Sequence, residues 1–187
     1  MKTTAPITNR TASTSRTVDV RPDIRVRAVE DGDHDAVHGI LTSRHILGGT
    51  MRVPHAARRE TVARLQPASG THHLVALVGD EVVGFAELVT YPDAPRHRHV
   101  GELNLIATAE AWGGRGVGRA LLDEVIDLAD NWLGLNRLGL TAFTDNTHAI
   151  RLYERVGFVI EGTMARYGFG NGAWMDAHLM GRLRPEA

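Results

Sequence analysis

Trp112-Gly113-Gly114-Arg115-Gly116-Val117-Gly118-Arg119 lies between a strand-like run, Gly101 to Thr108, and an amphipathic run, Val117 to Trp132. Four glycines in six positions leave this junction largely without Cβ atoms, so its N–H groups are free to converge on an anion. The positive end of the following helix adds its attraction, and the junction reads as a phosphate site. Known phosphate loops narrow that reading. A P-loop needs Gly-Lys followed by Ser or Thr, and this segment has neither. The dinucleotide fingerprint fails in register, because Gly114-x-Gly116 needs glycine where Arg119 stands and Gly116-x-Gly118 needs it at Leu121.

Downstream, the strand-like stretch Leu138 to Thr144 runs into Asp145-Asn146, a natural helix cap. A short helix follows with Ala149, Ile150, Leu152 and Tyr153 on its apolar side, and Gly157 stops it before Phe158. Asn146 and Tyr153 are seven positions apart, two helical turns, so an amide and a phenol share nearly one face. That pair suits a ligand with a peptide-like arm and a reactive end.

Composition bounds the function classes. A chain of 187 residues suffices for one domain with a sizeable core. Its net charge of -1 gives no global field for nucleic acid or an anionic membrane surface. There is no cysteine, hence no disulfide, thiolate metal site or cysteine nucleophile. No apolar run approaches a membrane span. The Thr- and Ser-rich start lacks the apolar core of a secretory signal, so residues 1–22 are expected to be a disordered leader and 23–187 a single domain.

Periodicity gives the coarse layout. Ile24, Val26 and Ala28 alternate as a first strand, and Asp33 to Ile46 reads as a helix with Val37, Ile40 and Leu41 inward. A second helix is expected around Ala56 to Leu65, then a hairpin of His73 to Val78 and Glu81 to Thr90. A Pro- and His-rich loop, Tyr91 to Arg98, precedes the strand His99 to Thr108. The long helix is expected to bury Val117, Leu121, Val125, Leu128 and Trp132. A final hairpin turns at Asn171-Gly172. A meander followed by strand–helix–strand order implies a mixed sheet with helices on both faces.

Gly114-Arg115-Gly116-Val117-Gly118 after a strand, with Asn146, Tyr153 and Gly157-Phe158 downstream, resembles the GNAT superfamily of acetyl-CoA-dependent N-acetyltransferases. The resemblance spans roughly Ile24 to Arg184. Val53-Pro54-His55, Asp130-Asn131-Trp132-Leu133, Glu161-Gly162-Thr163 and Asn171-Gly172 extend it toward bacterial L-amino-acid and phosphinothricin-type enzymes. It implies an α/β fold: a mixed, mostly antiparallel central sheet of about six to seven strands with helices on both faces. It also implies acetyl-CoA as co-substrate, a small-molecule amine as acceptor and a cytoplasmic setting, and it leaves a homodimer open. The pyrophosphate would lie on Gly113, Gly114, Arg115, Gly116, Val117, Gly118 and Arg119. The pantetheine arm would pair with Leu105, Ile106 and Ala107, with Asn146 holding it and Tyr153 beside it. The family's cradle usually begins with Gln or Arg where this chain has Gly113, and Arg115 or Arg119 would replace that side-chain contact.

Acetyl transfer to an amine needs a neutral amine, a place for the oxyanion and a proton for the departing thiolate. Tyr153, in register with Asn146, is a phenol with an ordinary pKa of about 10, protonated near neutrality and able to protonate a thiolate of about 8.5. It also matches the family's general acid. Glu102 opens the strand before the glycine loop, where phosphinothricin-type enzymes carry a catalytic Glu, and is the expected base; Glu87 on the neighbouring strand is the alternative. In protein N-terminal acetylases the base sits on the later strand, where this chain has Thr141, which argues against a protein N-terminus as acceptor. A non-catalytic acyl-CoA-binding module is the rival reading, and Tyr153 argues for the enzyme because binding alone needs no phenol there.

The acceptor is expected between Ile46 to His55 and Arg166 to Met175, which offer Met51, Tyr167, Phe169 and Trp174 as apolar walls and Arg52 or Arg166 as a carboxylate clamp. Apolar walls beside one cation suit a phenylalanine-, methionine- or phosphinothricin-like amine better than a polyamine. The 10 histidines, His72-His73 and His97-x-His99 among them, lack carboxylates at ligand spacing, so no metal is expected. Arg58-Arg59 reads as a solvated helix face.

Overall fold

The computed structural model describes residues 22–185. The expected leader over 1–22 therefore lies outside the described residues, Pro22 excepted. Seven strands form one sheet in the order β1-β2-β3-β4-β5-β7-β6. These are β1 (Ile24–Ala28), β2 (Thr71–Val78), β3 (Glu81–Thr90), β4 (Val100–Thr108), β5 (Arg137–Phe143), β6 (Val159–Gly170) and β7 (Ala173–Leu183). Every neighbouring pair is antiparallel except β4 with β5. The mostly antiparallel sheet with helices on both faces is the fold class expected from the sequence.

The central strands are apolar on both sides, as strands buried between two helical layers must be. On one face, Val75, Leu77, Phe85, Leu105 and Ala107 pack under Val37, Ile40 and Leu41 of α1 (His34–Thr42) and under Leu65, which follows α3 (Arg58–Arg64). On the other, Ala76, Val83, Ala86, Leu88 and Leu103 meet Val117, Leu121, Leu122 and Val125 of α4 (Val117–Asp127). Ile150 and Tyr153 of α5 (Thr147–Glu154) extend that second core. A Cβ on Gly84 would lie 2.6 Å from Val117 Cγ1, so a bare backbone in β3 lets α4 seat directly on the sheet.

Two helix expectations are corrected. The helix read as Asp33 to Ile46 breaks at Ser43, whose backbone is extended, leaving α1 and the one-turn α2 (Arg44–Leu47). The stripe ending at Trp132 fails because α4 gives way at Leu128–Trp132 to a π-turn, closed by Leu133 N–H to the Leu128 carbonyl at 2.9 Å. One extra residue in that turn rotates the register. Ala129 goes inward instead, and Trp132 is 78% exposed with its indole donating to Asp127 at 3.1 Å. The turn is pinned by buried Arg182 of β7, which forks onto Asp130 at 2.9 and 2.8 Å and donates to the Val156 carbonyl. The Asn171-Gly172 hairpin forms as read, both residues having positive φ, 50° and 78°. No helix among the described residues is long and apolar enough to cross a membrane.

Candidate active site

The site follows from a short seam. Parallel strands β4 and β5 pair over only three residues each, Val100 to Glu102 with Arg137 to Gly139, and then diverge. Beyond Glu102, β4 remains paired with β3 on one side while its other edge opens onto a cleft of about 920 Å³. Leu105, Ile106 and Ala107 line that opening, and Asn146 and Tyr153 of the α5 segment line it from the far side.

At the end of β4 the glycine-rich junction turns the chain into α4. Gly114 and Gly116 have φ of +72° and +93°, a region side chains disfavour, and Gly116 is the N-cap of α4. Among the described residues, the amides of Gly114, Gly116, Val117, Gly118 and Arg119 donate to no backbone acceptor. Five free donors at a helix N-terminus fit a pyrophosphate. The side chains fit less closely than expected. Arg115 is off the cleft wall and its guanidinium stacks over Trp112, 5.3 Å from the ring centre. Arg119 lines the cleft but is paired with Asp123 at 2.7 Å.

Asn146 caps α5, its Oδ1 accepting from the Ala149 amide at 3.2 Å. With the oxygen committed, its Nδ2 is left as a donor, and it lies so near the α2–α3 loop that a Cβ on Gly49 would sit 3.1 Å from it. Tyr153 is 7% exposed and packs against Phe158 at 5.9 Å between ring centres. Burial pushes its phenol up to about 12. No side-chain hydrogen bond to that phenol occurs among the described residues, and the residue lines the cleft.

The two carboxylates separate sharply. Glu102, at the last paired position of β4, is exposed on the cleft wall. The Tyr91 phenol is raised first by burial and then by the nearby Glu102 carboxylate. Glu87 is 4% exposed and off the cleft wall. Arg64 grips it with Nε at 2.8 Å and Nη2 at 2.7 Å, His73 Nε2 lies at 3.0 Å, and Asn104 donates to it as well. Burial alone would raise its pKa, but the His73, Asn104 and Arg64 contacts outweigh burial and hold it down to about 2. Such a carboxylate is a fixed anion that ties α3 to the sheet. A folded pKa below the ordinary 4.5 adds stability above pH 4.5 that is lost as pH falls toward 2, on the order of 3 kcal/mol. Glu87→Gln should therefore lower the thermal midpoint at pH 7 and flatten its fall in acid; an unchanged acid unfolding profile would refute this.

Of the residues expected to enclose the acceptor, Met51, Arg52 and Tyr167 line the cleft, and Tyr167 stands edge-on to Phe143 at 6.5 Å. Phe169 and Trp174 do not. They face each other across the final hairpin at 5.0 Å and are 61% and 62% exposed, because a cross-strand pair beside a tight turn satisfies itself. Arg166 is also off the cleft wall, its amide donating to Asp176 at 2.7 Å. Arg64, Asn104 and His45 are wall residues that carry no local signal in the sequence. His45 bonds the Thr108 carbonyl at 2.8 Å across 63 positions, a contact only the fold creates. Among the described residues no cluster of three His, Asp or Glu is disposed to hold a metal ion.

The sequence profile described as the acetyltransferase (GNAT) family matches residues 36–158. The chain is 35% identical over 162 residues to the L-amino acid N-acetyltransferase AaaT of Escherichia coli (strain K12), covering 87% of this chain and 99% of that one. It is 29% identical to the phosphinothricin N-acetyltransferase of Alcaligenes faecalis, with 84% and 81% covered. Among solved structures, spermidine N-acetyltransferase from Vibrio cholerae in complex with CoA and spermine superposes with a TM-score of 0.75 at 25% identity, covering 86% of this chain and 95% of that one.

Proposed function

The chain belongs to the acetyltransferase (GNAT) family and is an N-acetyltransferase, and from that premise we propose that it moves the acetyl group of acetyl-CoA to the α-amino group of an amino acid or close analogue. The observation that carries the reading is the divergence of β4 from β5, which brings five free amides, Glu102 and Tyr153 to one cleft. The amides of the Gly113 to Arg119 turn bind the pyrophosphate, and the unpaired edge of β4 at Leu105 to Ala107 pairs with the pantetheine arm while Asn146 donates to it. Glu102 accepts a proton from the incoming amine. The amine nitrogen then attacks the thioester carbonyl directly in a ternary complex, the C–S bond breaks as Tyr153 gives its proton to the departing sulfur, and the surplus proton on the new amide nitrogen restores the Tyr153 phenol. The setting is the cytoplasm, where acetyl-CoA is available.

Similarity to an L-amino acid N-acetyltransferase over nearly its whole length supports the acceptor class. So does the presence of Ile46, Met51, Phe143 and Tyr167 on the cleft wall, which suits an apolar side chain. Thiol release from acetyl-CoA, measured over amino acids, polyamines, aminoglycosides and N-terminal peptides, tests the reading, with hydrophobic amino acids expected to be best. Preference for any of the other three refutes it. In the same assay Glu102→Gln should depress the rate most at lower pH, where the amine is protonated and needs the base; a uniform effect across pH would remove Glu102 from that role.

A further inference from the structure

We infer that Arg52 recognises the carboxylate of the acceptor, so that the enzyme selects amines bearing an anionic group beside an apolar body. The inference rests on the amino-acid reading above and adds to it the residue that does the selecting.

Arg52 stands in the loop between α2 and α3 and lines the acceptor end of the cleft. Its guanidinium makes no ion pair or side-chain hydrogen bond among the described residues. Its Nε is enclosed with no partner, alone in this among their buried side-chain nitrogens and oxygens. The Nη groups are neither enclosed nor bonded to any side chain, and they are the donors a ligand carboxylate in the cleft can reach. The other arginines of the wall are already served. Arg64 holds Glu87, Arg119 holds Asp123 and Arg137 holds Glu161. Arg155 has no acidic partner but is exposed in water at the end of α5.

The surroundings sharpen the point. Burial, then the neighbouring Arg64, press the Arg52 pKa downward, while Glu60 and Glu87 act the other way without reaching ion-pair contact. A ligand carboxylate would relieve both penalties at once through the two-pronged contact a guanidinium makes with it. Because Glu87 neutralises Arg64 within the wall, Arg52 is the guanidinium left for that role. The uncompensated charge of Arg52 also disfavours polyamines, and Ile46, Met51, Phe143 and Tyr167 stand ready for an apolar side chain.

The test compares methionine with methioninamide, and phenylalanine with phenylalaninamide, in the wild type and in Arg52→Met. The acid-to-amide ratio of kcat/KM, taken as a wild-type-to-variant quotient, cancels the different basicities of the amines. That quotient should be about thirtyfold, the size of a hydrogen bond to a charged group, and should lie in KM with kcat nearly kept. Acetyl-CoA affinity should be unchanged. Arg52→Lys keeps the charge without the fork and should show an intermediate quotient; it replaces Arg52→Met as the deciding variant if the latter unfolds. A quotient within about threefold of one, in a folded variant that still acetylates both members of a pair, overturns the inference and leaves the proposed function standing. Acetyl-CoA binding with no acetylation of any amine by the wild type overturns the proposed function instead.

Discussion

Gly116→Val is expected to abolish acetyl-CoA binding, lowering affinity by at least about a hundredfold in isothermal titration. Gly116 has φ of +93° and ψ of -4°, and a β-branched residue is a strong outlier there. The left-handed region alone costs an L-residue roughly 1–2 kcal/mol. To escape it, the turn must rotate the peptides that aim the Gly116 and Val117 amides. A hydrogen bond to a charged group contributes about 1.5–3 kcal/mol, so losing two of them already exceeds a hundredfold. The nearest atom to a Cβ at this position is Ile24 Cδ1 at 3.8 Å, so the substitution meets no crowding from the core. The fold should survive, with the thermal midpoint of the free protein falling by only a few degrees. Unchanged affinity would remove the glycine turn from the cofactor site.

Tyr153→Phe should lower kcat by about a hundredfold or more, within the range for general acid–base groups, with acetyl-CoA affinity nearly intact. The ring's packing against Phe158 is kept, so only the proton is lost. Burial pushes this phenol up to about 12, so every molecule at neutral pH carries the proton. Against a thiolate near 8.5 such an acid is uphill by about 5 kcal/mol if the transfer were completed first. The proton therefore moves as the C–S bond breaks. Because the raised pKa keeps the neutral form dominant, the rate should hold through pH 10, an ordinary tyrosine's midpoint, and decline only as pH nears 12. A Tyr153→Phe enzyme with wild-type kcat would end the assignment.

Local patterns account for what the sequence made legible, and distant contacts for what it did not. Alternating Val75, Ala76 and Leu77 mark a strand buried on both faces, and Asn171-Gly172 fixes the hairpin. The free amides after β4 follow from glycines within one turn of a helix start. The π-turn that sends Trp132 outward follows from no spacing, since Arg182 pins it from 52 positions away. Glu87 and Glu102 look alike as carboxylates on adjacent strands. His73, Asn104 and Arg64, the last arriving from α3 across 23 positions, together make Glu87 a fixed anion. Phe169 and Trp174 read as pocket walls by composition, yet their direct opposition across the hairpin turns them to each other. The insertion of β7 between β5 and β6 is likewise a matter of topology that no window of residues encodes.

The three-residue seam between β4 and β5 divides the sheet into two leaves, β1 to β4 and β5, β7, β6, joined by a very short stretch of backbone. A peptide-like arm lying along the free edge of β4 would act as an extra strand supplied from outside, finishing a sheet the chain leaves incomplete. Binding and folding are then one equilibrium: at a hundredfold excess over Kd such a guest adds about 2.7 kcal/mol to the stability of the whole. Amides of β4 and β5 that face the wedge should trade hydrogen for deuterium quickly in the free protein and slowly once it is filled. The incomplete edge thus makes the fold itself a reporter of cofactor supply.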